Sequence, residues 1–404
     1  MSALPWIGVP ILALCLGHVF SNMVRTLPAV AVDVMGRDLG LSAEALAQVT
    51  GLFPLAFAAA MLPIGVAMDR YGVRRTSRGL LAVAGLGAAL AAIAPTPLGM
   101  VLAQIVLGAG CSGMLMCPMA WAALALPAAR FALWAGIIQA VGNTGMLISA
   151  SPLALLVEVE GWRAAYLAAA GLAALALLAV SAFVPADAPA ATEQRSLREE
   201  VRQLLAIAAR PAMRGVIVLV FSSFAAVLGL RGLWGGPWLM EVKGLPRVEA
   251  GHILLGVAVA LTVGPLLAGF ALRRFGRPVA LLAGSHLMAA AFIVALVALA
   301  PLGLPVAVDV ALLVGFGFAI GFQVLGFAIV RAVVSPAETG RALSAANCSF
   351  FLGAGLLQAA SGLAAGWGGI AAALLTFPLA LILCALGFLA LSRRLPAHTN
   401  GHLQ

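Results

Sequence analysis

Residues 65–76 read GVAMDRYGVRRT, and they bring Asp69, Arg70, Arg74 and Arg75 into one short stretch of a chain that is otherwise poor in charge. An apolar run lies on each side, at about 45–68 and 76–95, each of roughly the 20 residues a helix needs to cross a bilayer. A short loop rich in arginine between two such runs belongs on the cytoplasmic side. Its glycines have separate uses: Gly65 lets two helices approach closely, and Gly72 allows a tight turn. Asp69 can pair with an arginine or cap a neighbouring helix end.

Outward from this loop the same pattern repeats. Charged or Pro/Gly-rich breaks leave twelve apolar segments, near 6–33, 45–68, 76–95, 97–126, 131–157, 164–184, 214–240, 249–272, 278–300, 304–333, 341–366 and 368–392. Of the 404 residues 63% are hydrophobic and 9% charged, against about 25% charged in soluble domains, which excludes a soluble enzyme. The formal charge of +9 does not point to nucleic acid, because the basic residues sit at the ends of apolar runs. Cys15, Cys111, Cys117, Cys348 and Cys384 all lie inside apolar stretches, with no CxxC and no histidine at ligand spacing. They are expected to be buried free thiols, and neither a metal nor a cofactor is implied.

The expected fold is all-α and polytopic, with 12 transmembrane helices in two pseudo-symmetric six-helix bundles, 1–184 and 214–404. Between them, 185–213 is the one long polar stretch, and its SLREEVRQLLAIAAR carries Leu197, Val201 and Leu204 at helical spacing, so it is expected to form an interfacial helix. Ala29-Val30-Ala31 resembles a signal-peptidase site, but no Lys or Arg precedes the first apolar run, and Asn22 and Arg25 interrupt it. It is read as a retained span. With a cytoplasmic N-terminus, seventeen of the 23 Lys and Arg fall in inner loops and only Arg37, Arg163, Lys243 and Arg247 in outer ones. Both termini are therefore expected inside a bacterial-type inner membrane.

The two halves overlay. GLS at 40–42 falls on GLP at 244–246, and the DRYG ending at Gly72 falls on the RRFG ending at Gly276, both at a shift of 204 residues. Transporters built from such repeats bind their solute near the bilayer midplane, at the repeat interface.

With these features in place, the 65–76 loop resembles the signature G-x-x-x-D-R/K-x-G-x-R/K-R/K of the major facilitator superfamily, between its second and third helices. EGWRAAY at 160–166 and SPAETGRALSAAN at 335–347 extend the resemblance over essentially the whole chain. It implies a secondary transporter working by alternating access, with Gly65, Asp69, Arg70, Gly72, Arg74 and Arg75 as a cytoplasmic gate. Two departures stand out. Gln104 occupies the place of the fourth-helix arginine, and the fifth helix has Gly142 and Gly145 but only Ser151-Pro152 where drug antiporters carry Gly-Pro.

Arg25 and Arg231 lie clearly inside spans, eight and ten residues from the acids Asp33 and Glu241 placed at the outer surface. At helical rise that is a depth of about 12 to 15 Å, and charges so placed are functional by default. The acids Asp33, Glu158, Glu160, Glu241 and Asp309 all cluster near outer ends. The expected partner of the arginines is thus an anionic small-molecule substrate, which the planar guanidinium fork suits. Here the chain resembles the organophosphate and organic-anion branches of the superfamily, with arginines in the first and seventh helices. The alternative is that they snorkel or bind carbonyls near Pro28 or Pro237.

His18, Asn22 and Arg25 form one helical stripe, with His18 a candidate for a coupled proton. Ser223, Arg231 and Trp234 are expected on one face of the seventh helix, where the indole either stacks on a solute or on the guanidinium or is an ordinary packing residue. Gln139 and Asn143, Gln323, and Asn347 with Gln358 complete the substrate-binding candidates, although such amides equally serve helix packing. His286 is assigned to a peripheral helix without a link to the site. The chain thus reads as a monomeric carrier of a small anionic organic solute, coupled to a proton, sodium or a counter-anion. A proton-coupled drug or metabolite exporter is the alternative, as is a non-transporting receptor or assembly factor on the same scaffold.

Overall fold

Residues 4–186, 197–335 and 338–392 are described by the computed structural model, and all their regular structure is helical. In order the helices are α1 (Leu4–Thr26), α2 (Val32–Leu39), α3 (Ala43–Ile93), α4 (Pro97–Cys111), α5 (Met116–Ala125), α6 (Ala128–Ile148), α7 (Ser151–Glu160) and α8 (Trp162–Phe183). Next come α9 (Leu197–Ala208), α10 (Pro211–Gly229), α11 (Gly235–Pro237), α12 (Arg247–Phe275), α13 (Pro278–Leu299), α14 (Val306–Ile320), α15 (Leu325–Val333) and α16 (Thr339–Ser392). Eleven stretches are long and apolar enough to cross a bilayer. The last, α16, runs for 54 residues and is two spans joined where Gly368 and Gly369 leave helical geometry, which brings the spans to the expected twelve.

The 65–76 loop is tighter than its sequence suggests. Helix continues on both sides of it within α3, and only Gly72 departs, at φ 81 and ψ 171. A side chain is strained at that φ, so glycine alone makes the reversal cheap. Gly65 is a correction: a Cβ there would meet nothing within 4 Å, so among the described residues no helix approaches it closely. Close approaches lie deeper, where a Cβ on Gly108 would meet the Phe53 carbonyl at 2.2 Å and one on Gly110 the Ala84 nitrogen at 2.4 Å.

The positive-φ glycines carry the repeat into the backbone. Gly40 and Gly244 have φ 63 and 69, Gly72 and Gly276 have 81 and 60, and Gly161 and Gly369 have 83 and 64. Packing repeats as well. Cβ atoms at Gly145 and Gly353 would strike the carbonyls of Val19 at 2.0 Å and Phe221 at 1.8 Å, so α1 packs on α6 much as α10 packs on α16. Gly108 over Phe53 has its counterpart in Gly317, which faces the Val257 carbonyl at 3.0 Å.

The chain forms two compact units, Met1–Leu41 with Leu52–Glu199, and Ser42–Gly51 with Glu200–Gln404. In the first, Asp38 accepts from Trp162 Nε1 at 2.9 Å and Arg163 Nη1 at 2.6 Å, while Arg163 Nη2 donates to the Ala94 carbonyl at 3.2 Å. The indole hydrogen bond and Arg163 hold the Asp38 carboxyl below the usual carboxylate range. These contacts explain EGWRAAY as a brace. The second unit has a similar brace, in which Asp309 accepts from Trp238 Nε1 at 3.1 Å and pairs with Lys243 at 3.0 Å.

Within the polar connection, Arg195 lies outside the described residues, as do Arg393 and Arg394 at the C-terminus. Helix α9 buries Leu204 and Ile207 and exposes Arg198 and Arg202, the amphipathic pattern expected of it. Nearby, Arg210 makes a two-pronged bond to Glu338 at 2.9 and 2.7 Å, and Arg341 donates to Gln203. All five cysteines are free, but Cys348 and Cys384 are only partly buried, short of the full burial expected.

Candidate solute-binding residues

In the first unit the stripe of α1 divides between two neighbours. Asn22 Nδ2 donates to the Gly142 carbonyl at 2.9 Å and lies 3.4 Å from His18 Nε2. A Cβ on Gly142 would fall 1.7 Å from the His18 ring, so this glycine is what admits the imidazole between α1 and α6. Both side chains are buried, and they hold two helices together as much as they offer a polar surface. Arg25 turns the other way. Its Nε donates to the Ser21 carbonyl at 3.2 Å and its Nη2 to Ser21 Oγ at 2.7 Å, while the guanidinium carbon sits 5.4 Å from the centre of the Phe57 ring. The fork is thus fixed by a hydroxyl and an aromatic face, and the residue stays partly exposed. Gln139 donates to Asn143 at 3.0 Å, so these two form a pair on α6.

Gln104 is a packing residue. It is buried and donates to Tyr166 Oη at 3.2 Å, joining α4 to α8. In the signature loop, Arg74 Nη2 donates to the Ser181 carbonyl of α8, whereas Arg70 and Arg75 are exposed.

The second unit places Arg231 differently. Beyond α10 the helix widens into two turns, Leu230–Trp234 and Trp238–Val242, closed by i→i+5 bonds from the Gly235 and Lys243 amides. Such wide turns recur at functional sites. Arg231 sits in the first of them and is fully buried. Of the two readings of Trp234 the structure favours packing: the residue is 1% exposed and its Nε1 donates to Ser361 Oγ at 2.8 Å. On the same unit Asn347 is partly buried. Gln323 and Gln358 each keep a buried amide oxygen without a hydrogen bond among the described residues, a cost that a solute or water donor would remove.

His286 is a further correction. It is fully buried, and its Nε2 lies 2.6 Å from Ser223 Oγ on α10, the helix that leads into Arg231. Sequence reasoning had Ser223 on the right helix but no signal for its partner, because a lone histidine 63 positions away gives no periodic clue.

This architecture, repeated helical units with an arginine inside the first span of each, defines an integral membrane protein of the transporter kind. A sequence profile of the Major Facilitator Superfamily matches residues 14–326. The chain belongs to that superfamily, which is one of membrane transporters rather than enzymes. Among curated proteins it is similar to a multidrug resistance protein B homolog of Mycobacterium tuberculosis, at 33% identity over 192 residues, 46% of this chain and 34% of that protein. It also resembles the tetracenomycin C resistance and export protein of Streptomyces glaucescens, at 26% identity over 346 residues, covering 71% and 62% of the two chains. The chain thus spans about a third of the length of the first of these relatives. The fold matches a bacterial homolog of the human lysosomal transporter Spinster at a TM-score of 0.80 and 16% identity, over 97% of this chain and 98% of that one. A D-xylose-proton symporter matches at 0.75 and 17%, over 95% and 97%.

Proposed function

We propose that the protein is a secondary active transporter that moves a small anionic organic solute across a bacterial-type inner membrane by alternating access, with both termini cytoplasmic. The observation that carries this reading is the place of two arginines inside the membrane spans. Each half carries an arginine inside its first membrane span, Arg25 with its fork set by Ser21 and Phe57, and Arg231 within a wide turn. Two intramembrane guanidinium groups favour an anion, since carboxylates and phosphates match their planar donors. The bundles 1–184 and 214–404 are the moving parts, and 185–213 links them.

A thermal-shift screen of the purified protein against small carboxylates, phosphates and neutral controls tests this, because a ligand that binds only the folded state raises its apparent stability. Stabilisation by an anion, lost in Arg25→Ala and Arg231→Ala, is the expected result. Stabilisation by neutral or cationic amphiphiles alone would favour a second reading, export of antibiotics. That reading is supported by the names of the curated relatives, which speak of multidrug resistance and of tetracenomycin C export.

A further inference from the structure

The Ser223–His286 contact has an arrangement that a packing bond does not need. His286 Nδ1 lies 2.8 Å from the Leu282 carbonyl, an acceptor only, so Nδ1 carries a proton and donates there. Its Nε2 is then a bare acceptor, 2.6 Å from Ser223 Oγ. The single hydroxyl proton of Ser223 has two destinations, this nitrogen and the Leu219 carbonyl at 3.0 Å. With a neutral imidazole the hydroxyl donates to Nε2. With an added proton, Nε2–H donates to Ser223 Oγ and the hydroxyl turns to Leu219. One proton is gained and no hydrogen bond is lost.

We infer that Ser223 and His286 form a proton-binding site in the core of the second unit. His18 lacks the equivalent. Its Nε2 faces the Asn22 amide nitrogen, which the Gly142 carbonyl fixes as a donor, and its buried Nδ1 has no hydrogen bond among the described residues. A proton added to His18 would therefore have no acceptor.

The charged groups on the surrounding helices leave the imidazole to these neutral partners. On α10, Arg214 is exposed, and Arg231 follows Ser223 by eight residues, about 12 Å along a helix. On α12, Glu249, His252, Arg273 and Arg274 are exposed, as are Arg277 before α13 and Arg331 on α15. Asp309 of α14 is paired with Lys243, and Arg341 of α16 is held by Gln203. The thiols of α16, Cys348 and Cys384, are partly buried, and Cys384 bonds Ser222. None of them hydrogen-bonds His286, whose partners are Ser223, Leu282 and the more distant Ser285 Oγ at 3.4 Å.

The role of this site in transport rests on the function proposed above: a proton here adds positive charge on α13, at a histidine hydrogen-bonded to the helix that leads into Arg231, so proton and anion would favour each other's binding. The site itself can be tested without any solute. Protein labelled with 15N-histidine has five histidines to follow by NMR, and His286→Gln identifies the signal of interest. The expected result is a reversible titration of His286 from the neutral Nδ1–H form while the protein stays folded. Ser223→Ala should lower its midpoint by about one pH unit, the amount by which a hydrogen bond to a charged group exceeds one to a neutral group, and Ser223→Thr, which keeps the hydroxyl, should leave it near that of the parent. A His286 that remains neutral until the protein unfolds, or a midpoint indifferent to the loss of the Ser223 hydroxyl, would overturn the inference. Repeating the titration with succinate and with inorganic phosphate separates the two ideas. An upward shift of the midpoint supports both, whereas an unchanged titration counts against an anionic solute and leaves the proton site standing.

Discussion

Arg25 shows why the kind of cation matters as well as its charge. Its guanidinium meets a carbonyl, a hydroxyl and an aromatic face at once, and an ammonium offers a point charge in place of that planar fork. Arg25→Lys is therefore expected to insert and fold normally yet lose at least about tenfold in uptake of the anion found by thermal shift. Normal uptake in both Arg25→Ala and Arg231→Ala would remove the anion site altogether. Packing glycines give a second, independent test. Gly145→Ala drives a methyl to 2.0 Å from the Val19 carbonyl and should destabilise the protein by about 1–3 kcal/mol in thermal or denaturant unfolding. Gly171→Ala, with nothing within 4 Å, should be neutral or gain up to about 1 kcal/mol from helix propensity.

The connection between the halves is held by contacts whose strength depends on pH. Arg210 and Ser335 hold the Glu338 carboxyl at about 2, below its ordinary 4.5, so the stabilisation it gives is complete above about 4.5 and fades as pH falls towards about 2. Hydrogen exchange of α9, next to Arg210, should quicken over that window, and Glu338→Gln should show the faster exchange already at pH 7. How much of this was legible beforehand differs by element. The amphipathic spacing of 197–208, the turn at Gly72 and the matched loops at Gly40 and Gly244 are written in residue type, since each follows from periodicity or from a backbone angle that glycine alone adopts freely. The wide turns around Arg231 were not legible, because LRGLW and WLMEV read as ordinary apolar helix. Nor was the capture of the Trp234 indole by Ser361, or of His286 by Ser223, since these depend on which helices become neighbours. Gly65 failed for the same reason: small size permits a close approach but does not supply the second helix.

For the protein working as a carrier, the signature loop should govern turnover rather than affinity. Asp69→Asn is expected to insert, to bind the stabilising anion within about threefold of the parent, and to slow exchange, as gating residues far from the chemistry do. Binding lost together with flux would mean that Asp69 supports the fold or the ligand instead. Accumulation of ethidium in cells expressing the protein separates the two transport readings, since an anion carrier should leave it unchanged and a drug exporter should lower it. The wide turns also bear on how the two halves diverged. From Val19 to Phe221, which take equivalent places against packing glycines, the repeat shift is 202 residues, and from Gly40 to Gly244 it is 204. Each i→i+5 turn accommodates one residue more than a regular turn, and two such turns fall in the interval where the second half is two residues longer. The extra residues are absorbed as bulges, with the far end of the span kept in register. Neither shift carries Arg25 onto Arg231, so the two arginines do not occupy equivalent places in the repeat, and whatever they hold is met by halves that are alike in backbone and unlike in where their charge stands.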